Sequence, residues 1–210
     1  MQIDTDIELL KEFERGLDPE HPERSKIPAK VLGYGEISTI FEIDSPATQG
    51  LACKRMPIFQ TQEEIAHYAR IYTDYNNLLE KEIGINVPDF GFVWFAAADG
   101  KIVAFDLQRK LPAESIGNRA IHLLDKETIR ALFLCVLREL KKVFSCNRAR
   151  PSLTFGIDGQ ISNWAMKDYG EGKPVTEKTE LFYIDTGTPL IRKDGIEQCN
   201  STEEGHLLLS

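Results

Sequence analysis

The sequence contains no apolar run that approaches the roughly 18 residues needed to cross a bilayer. Its first segment, MQIDTDIELLKEFERG, is acidic and amphipathic, and it lacks the basic start and apolar middle of a signal peptide. The four cysteines form no CxxC pair, and no His/Cys cluster has metal-ligand spacing. These absences predict a cytoplasmic protein with reduced thiols, no structural zinc site and no membrane partner.

Basic residues are also in deficit. Lys and Arg number 25 against 33 Asp and Glu, which gives a formal net charge of -8 at pH 7. An acidic surface opposes binding to nucleic-acid phosphates and to anionic lipids, although it leaves room for a local basic pocket. We therefore expect no nucleic-acid partner. The length of 210 residues suffices for one large domain or two small lobes.

Strands are predicted where apolar residues form short runs between turn residues. KVLGYGE and STIFEID predict two strands joined by a tight Gly turn, and LACKRMPI predicts a third that ends at Pro57. FGFVWFAAADGKIVAFDLQRKL predicts a β-hairpin that turns at Asp99-Gly100. NWAMKD and ELFYID predict two further short strands around a polar loop.

Helices are predicted where the apolar spacing changes to that of an amphipathic helix. Residues Ile7 to Arg15 predict a short one, followed by a Pro-rich linker, LDPEHPERSKIP. TQEEIAHYARIYTDYNNLLEKEIG predicts a long helix with Thr61 as N-cap and Gly84 at its end, and LDKETIRALFLCVLRELKKVF predicts a second. Because strands and helices do not alternate regularly, the predicted class is α+β and not a doubly wound sheet.

Two features of the first half of the chain could bind phosphate. VLGYGEIS has Gly33 and Gly35 between two strands, where glycines let backbone N–H groups approach an anion. The alternative is an ordinary Gly-containing turn. Lys54 lies in the middle of the apolar strand LACKRM, where it binds an anionic group or else sits on an edge strand facing water.

Two features of the second half could serve catalysis and metal binding. FGIDGQISNWAMKD places Asp158 and Asn163 five positions apart, which suits a base near a hydroxyl and an amide ligand for a metal. Asp185 ends the apolar strand of LFYIDTGTP and is a candidate Mg²⁺ ligand. The alternative for all three residues is ordinary turn and capping chemistry.

The order of these features resembles the protein-kinase-like superfamily, and within it the branch of aminoglycoside phosphotransferases and choline kinases. GINVPDFGFV looks like the Gly-x-x-Val-Pro step of that branch. The resemblance runs from Lys30 to Pro189 and implies a two-lobed fold, with an antiparallel sheet plus helix in the N-terminal lobe and a short, mostly helical C-terminal lobe. It predicts an N-terminal helix and linker over residues 1–27, an N-lobe over 28–110 and a C-lobe over 111–210.

The resemblance also implies roles for individual residues. Three positions match the glycine-rich loop that covers the nucleotide phosphates: Gly33, Gly35 and Ser38. Lys54 matches the lysine that holds the α- and β-phosphates, and Leu107 lies in the segment that matches the hinge beside the adenine. Asp158 matches the catalytic aspartate, and Asn163 and Asp185 match the metal ligands. The implied cofactors are ATP and Mg²⁺.

Several positions depart from the family's pattern. Gly156 stands where a His usually precedes the catalytic Asp. The acidic partner of Lys54 stays open among four residues of the helix that follows it: Glu63, Glu64, Asp74 and Glu80. Only 25 residues follow Asp185, so the C-terminal lobe looks shortened. A shortened lobe would expose apolar surface on the helix through Ile129 and Leu140 and favour self-association.

Two functions are consistent with these features. The first is an ATP-dependent phosphotransferase that acts on the hydroxyl of a small molecule or a protein, with an acceptor that the sequence does not reveal. The alternative is a weakly active or inactive kinase-like module that binds nucleotide or regulates a partner. Turnover distinguishes the two.

Overall fold

The protein is described by a computed structural model that covers residues 3–35, 38–97, 99–170 and 173–199. The chain divides into two compact units. Unit 1 comprises residues 1–69 and 89–110, and unit 2 comprises residues 70–88 and 111–210. Both strands and helices are present, which confirms the predicted α+β class.

Unit 1 is built on a five-stranded antiparallel sheet with the order β1-β2-β3-β5-β4. Its strands are β1 (Ala29–Tyr34), β2 (Thr39–Ile43), β3 (Leu51–Phe59), β4 (Phe90–Ala96) and β5 (Ile102–Arg109). All five lie where the sequence predicts strands. Gly100, at the predicted hairpin turn, has φ of +83°, a conformation that glycine adopts without strain.

The prediction that Pro57 ends the third strand is wrong. β3 continues through Pro57 to Phe59. Its register with β5 shifts between Met56 and Phe59, so Pro57 lies at an irregularity of the ladder. A bulge tolerates a residue without a backbone N–H, which explains why the strand does not stop there.

Helix α1 (Ile7–Gly16) covers one face of this sheet. Asp6 caps it by accepting hydrogen bonds from the backbone N–H groups of Glu8 and Leu9. Leu10 and Phe13 are fully buried in one apolar cluster with residues of β2, β3, β4 and β5. The N-terminal helix therefore belongs to unit 1, and burying it stabilises the sheet.

Helix α2 (Gln62–Leu78) follows β3 and begins at the predicted place. The Thr61 hydroxyl accepts from the N–H of Glu64 at 3.1 Å, and the Glu64 carboxylate accepts from the N–H of Gln60 at 2.8 Å. This exchange is a variant of the capping box, in which Glu64 reaches the N–H of the residue before the N-cap Thr61. A wider helical turn follows over Leu79–Ile83, and Gly84, with φ of +76°, ends the helix as predicted.

The described part of unit 2 combines the second half of α2 and two further helices with two small sheets. The further helices are α3 (Gly117–Ala120) and α4 (Lys126–Ala149). One sheet has three strands, β6 (Leu153–Phe155), β9 (Ile191–Lys193) and β10 (Ile196–Glu197), in the order β10-β9-β6. The other pairs β7 (Trp164–Met166) with β8 (Leu181–Tyr183), as predicted.

Helix α4 has a buried face and an exposed apolar face. Its buried residues include Leu132, Val136 and Val143. Phe133, Leu137 and Phe144 are 46%, 58% and 67% exposed. The sequence analysis expects exposed apolar surface on this helix, and these side chains supply it.

Candidate functional site

The glycine hairpin of unit 1 closes through its own backbone. Gly35 donates its N–H to the carbonyl of Ser38 at 2.9 Å, and Ser38 is only 8% exposed. A Cβ atom added to Gly35 would meet the Ser38 hydroxyl, which would have to rotate away. Gly33 pairs with Ile40 within the ladder. The two residues at the hairpin tip, Glu36 and Ile37, lie outside the described residues.

Lys54 occupies the middle of β3, paired with Ile40 on β2 and Asp106 on β5. Successive strand residues point to opposite faces of a sheet. Cys53 belongs to the apolar cluster beneath α1, and Arg55 pairs with Glu14 of α1. Lys54 therefore projects from the sheet face opposite α1.

The four helix acids considered as partners of Lys54 have other surroundings. Glu64 is taken up by the capping box of α2. Three are exposed to solvent: Glu63, Asp74 and Glu80. The acid directly opposite Lys54 on the neighbouring strand β5 is Asp106. Sequence reasoning missed it, although a single Asp in the otherwise apolar run IVAFDL was the available signal.

Leu107, the residue matched to the hinge, lies inside the sheet. It is fully buried, pairs with Cys53 on β3 and Gly91 on β4, and belongs to the cluster beneath α1. Its backbone therefore has a strand on each side. A contact of Leu107 with an adenine ring stays a prediction that rests on the resemblance alone.

The β7–β8 ladder of unit 2 brings two predicted metal ligands to one end. Asn163 directly precedes β7, and Asp185 follows the last residue of β8, Tyr183, by two positions. Trp164 pairs with Tyr183, and the Asn163 carbonyl accepts the N–H of Ile184 at 2.9 Å. Because antiparallel strands place the start of one beside the end of the other, Asn163 and Asp185 share this end.

Asp158 is tied to the same end of β8. Its backbone N–H donates to the hydroxyl of Tyr183 at 3.2 Å. One oxygen of its half-buried carboxylate accepts the N–H of Gln160 at 2.9 Å, which is a turn-forming bond. The turn interpretation of Asp158 is therefore confirmed. A carboxylate has several lone pairs, so the Asp158 side chain can still accept a hydrogen bond from a further donor.

Two tyrosines, Tyr75 and Tyr183, form hydrogen bonds with the segment around Asp158. The sequence analysis did not identify them. Burial raises the pKa of Tyr183 above its usual range, and the negative charges of Asp185 and Asp158 add to the effect. Burial also raises the pKa of Tyr75, with contributions from Tyr183 and Asp185. Tyr75 donates its hydroxyl hydrogen to the Gly156 carbonyl at 2.8 Å. Both phenols therefore stay neutral near neutral pH and act as fixed hydrogen-bonding groups.

Gly156 has no room for a side chain because Leu190 lies close to it. A Cβ atom at this position would lie 2.8 Å from the Cβ of Leu190, and the Gly156 N–H donates to the Leu190 carbonyl at 2.8 Å. Leu190 immediately precedes β9, so the small sheet fills the space beside residue 156. A His at this position does not fit this packing, which accounts for the departure from the kinase-like pattern.

The chemistry of the donors suits magnesium. Asn163 offers an amide oxygen and Asp185 a carboxylate, and Mg²⁺ is bound in proteins by one or two carboxylates together with waters and substrate phosphates. Within the described ranges there is no group of three or more His, Cys, Asp or Glu able to hold a metal ion.

A separate cavity of about 250 Å³ in unit 2 touches Gly156 but not Asp158. Cys199 and Leu190 are among its lining residues, and burial raises the pKa of the Cys199 thiol to about 11. A thiol with a raised pKa is a poor nucleophile. We assign this cavity no catalytic role.

Residues 19–206 match a family described as "Family of unknown function (DUF6206)". The chain belongs to the DUF6206 family. No curated protein matches it. The four cysteines are free thiols, and no helix in the described part of the chain is long and apolar enough to cross a membrane. Membership of DUF6206 assigns no activity, so the function has to be argued from the two units.

Proposed function

We propose that this DUF6206 protein has a two-lobed, protein-kinase-like fold, with unit 1 as the N-terminal lobe and unit 2 as the C-terminal lobe. In protein kinases the phosphate-binding lysine lies on the third strand, after a Gly-rich loop. Lys54 lies on β3, after the β1–β2 hairpin with Gly33 and Gly35. This correspondence in chain order and position supports the proposal.

The proposed activity is ATP-dependent transfer of a phosphoryl group to a hydroxyl. In unit 1, Lys54 would hold the α- and β-phosphates, beneath a loop formed by Gly33, Gly35 and Ser38. Phosphoryl transfer depends mainly on positioning and on stabilising charge at the phosphates. A lysine fixed in the middle of a sheet suits that task because the sheet restricts its backbone.

In unit 2, Asn163 and Asp185 would hold Mg²⁺, which would supply positive charge to stabilise the transferred phosphate. Asp158 would accept the proton of the attacking hydroxyl. The observation that carries the proposal is the end of the β7–β8 ladder, where Asn163 and Asp185 lie together and Asp158 is bonded to Tyr183. The three polar residues come from two segments, one before β7 and one after β8, and an ordinary turn requires no contact between such segments. The chemical class of the acceptor, beyond a hydroxyl, stays open.

A second candidate function is a weakly active or inactive kinase-like module that binds nucleotide or regulates a partner. One oxygen of Asp158 is engaged by Gln160, and the N–H of Gly35 is used within its own turn. Both contacts compete with the groups that catalysis and phosphate binding would need. These two contacts favour the weakly active or inactive module over the phosphotransferase.

Equilibrium binding and single-turnover transfer together test the proposal. Radiolabelled ATP is incubated with the wild type and with Asp185→Ala, with and without Mg²⁺. The phosphotransferase predicts Mg²⁺-dependent binding that is lost in Asp185→Ala and label that leaves ATP in the wild type. Binding without release or transfer of the label favours the regulatory module. Absence of binding in a folded wild type contradicts the phosphotransferase and leaves only a module that regulates a partner.

We also propose that the exposed face of α4 supports self-association. Phe133, Leu137, Leu140 and Phe144 follow one another at spacings of four, three and four residues. This spacing forms a single apolar stripe of the kind that pairs helices in coiled coils. Stripe residues Phe133, Leu137 and Phe144 are exposed, so the surface is accessible to a second copy.

A further inference from the structure

Asp106 carries a buried carboxylate in the middle of β5. It is 3% exposed, and within the described residues the only other buried charged side chain is Glu139. Glu139 has its own cations, since it lies 3.0 Å from Arg138 and 2.6 Å from Lys142. A carboxylate removed from water needs a cation or hydrogen-bond donors, because the desolvation of the charge is otherwise too costly. The surroundings of Asp106 therefore have to supply one.

The residue opposite Asp106 on β3 is Lys54. Side chains of directly opposed residues in an antiparallel pair leave the same face, with Cβ atoms about 4.5–5.5 Å apart. On the same transverse row, Phe92 opposes Asp106 from β4 and Ile40 opposes Lys54 from β2. Lys54 and Asp106 are thus the two charged members of a row of four, with apolar residues at both ends.

The other cations of β3 and β5 have carboxylates of their own. Arg55 pairs with Glu14 of α1, at 2.5 Å, on the opposite face of the sheet. Arg109, at the end of β5, pairs with Asp89 at 3.2 Å. Among the cations of these two strands, Lys54 alone lies directly across from Asp106.

The neighbouring thiol responds to the same charge. The pKa of Cys53 is raised to about 12, first by burial and second by the negative charge of Asp106. Cys53 precedes Lys54 in β3 and points into the cluster beneath α1.

We propose that Asp106 is the carboxylate that positions Lys54, in the role that the sequence analysis sought among the acids of α2. The carboxylate holds the Lys54 amine on the sheet face opposite α1. That Lys54 in turn meets nucleotide phosphates rests on the proposed function. Two residues in adjacent strands give a partner whose distance is set by the ladder and does not depend on where α2 lies.

The pairing is tested first without nucleotide. Urea unfolding is measured for the wild type, Lys54→Met, Asp106→Asn and the double variant Lys54→Met/Asp106→Asn. A second cycle, with the matched control Glu64→Gln in place of Asp106→Asn, is measured in parallel. Substitutions at paired residues have non-additive effects on stability, whereas those at unpaired residues add. We expect non-additive effects in the Asp106 cycle and additive effects in the Glu64 cycle.

Each outcome decides the inference. Additive effects of Lys54→Met and Asp106→Asn overturn it, and non-additive effects confined to that cycle support it. Should Asp106→Asn fail to fold, Lys54→Met decides alone. It leaves a buried carboxylate without its cation and should lower stability, so a Lys54→Met variant as stable as the wild type overturns the pairing.

Binding of Mg-ATP to the wild type, Asp106→Asn and Glu64→Gln separates this inference from the proposed function. We expect roughly tenfold weaker binding in Asp106→Asn and wild-type affinity in Glu64→Gln. If no protein binds ATP while the Asp106 cycle is non-additive, the proposed function fails and the pairing stands. If ATP binds equally to all three and the Asp106 cycle is additive, the proposed function stands and Asp106 is not the positioning residue.

Discussion

The backbone N–H of Asp158 donates a hydrogen bond to the hydroxyl of Tyr183 at 3.2 Å. This bond links the segment before β7 to the end of β8, two residues before Asp185. Tyr183 is otherwise buried against Trp164, with ring centroids 5.1 Å apart. The hydroxyl of Tyr183 therefore holds the segment that contains Asp158 against the end of β8.

Tyr183→Phe should loosen that segment at a modest cost in stability. Removing the hydroxyl leaves the Asp158 N–H without its acceptor, which costs about 1 kcal/mol of unfolding free energy. The exposed Tyr34→Phe is the matched control and should change nothing. Urea unfolding measures both variants. Equal stability of Tyr183→Phe and Tyr34→Phe would mean that the bond contributes nothing.

Asp158→Ala and Asp185→Ala should separate catalysis from binding. Asp185→Ala is expected to abolish Mg²⁺-dependent nucleotide binding, because it removes the carboxylate ligand. Asp158→Ala is expected to leave binding nearly intact and to remove turnover, because its carboxylate acts on the acceptor hydroxyl. The exposed Asp74→Ala serves as the control. If Asp158→Ala weakened binding as much as Asp185→Ala, the assigned roles would be wrong.

Gly156→Ala should destabilise unit 2 because its new methyl group would lie 2.8 Å from the Cβ of Leu190. Overpacking of this kind costs typically 1–3 kcal/mol. At Gly33 the nearest atom, Cδ1 of Ile40, would lie 3.9 Å from the added Cβ, so Gly33→Ala is the matched control. Thermal or urea unfolding compares the two. A Gly156→Ala variant as stable as Gly33→Ala would refute the explanation for the missing His.

The N-cap of α4 should make stability depend on pH at the acidic end. Hydrogen bonds from the backbone and hydroxyl of Thr128 lower the pKa of Asp125. A pKa depressed in the folded state contributes stability above the unfolded value of about 3.9, and that stability is lost as pH falls through the folded pKa. Asp125→Ala should therefore be less stable than wild type at pH 7, and the gap should shrink on acidification.

Asp125→Ser keeps a neutral cap and provides the control for that experiment, since its effect should vary less with pH. A gap between wild type and Asp125→Ala that stays constant from pH 7 to pH 2 would contradict the pKa assignment. Unfolding by urea at each pH supplies the measurement.

Leu137→Gln and Phe144→Gln should weaken self-association while leaving the fold intact, because both side chains are already exposed. Arg130 and Lys141 are exposed beside the stripe, three residues before Phe133 and Phe144. Two copies paired through this face would bring like charges together, so added salt should strengthen the association. Sedimentation at several protein concentrations tests this, and a wild type that is monomeric throughout would refute it.

Much of the fold could be predicted because its signals are local. The apolar runs, the Thr61 cap, Gly84 and Asp99-Gly100 each act within a few residues, and all correspond to the structure. Pro57 was misjudged because a bulge depends on the register with β5, which only the neighbouring strand determines. The β6, β9 and β10 sheet was missed because its strands are two or three residues long, too short for periodicity to register.

The residues of the proposed site also divide into those that local sequence signals identify and those that only the structure identifies. Lys54, Asp158, Asn163 and Asp185 were chosen from residue type and order, which the sequence carries. Asp106 and Tyr183 act through partners that are distant in the chain. Asp106 lies opposite Lys54 on the neighbouring strand, and Tyr183 accepts a hydrogen bond from Asp158 at the end of the β7–β8 ladder. Such pairs depend on register, and no local pattern predicts it.

The most direct test of the central claim is a thermal-shift titration with ATP, with and without Mg²⁺, on the wild type and Lys54→Ala. A ligand that binds only the native state raises the melting temperature by mass action, so each protein is compared with its own ligand-free melting. The account predicts a Mg²⁺-dependent rise in the wild type that disappears in Lys54→Ala. No shift at millimolar ATP, in a wild type that melts cooperatively, would contradict it.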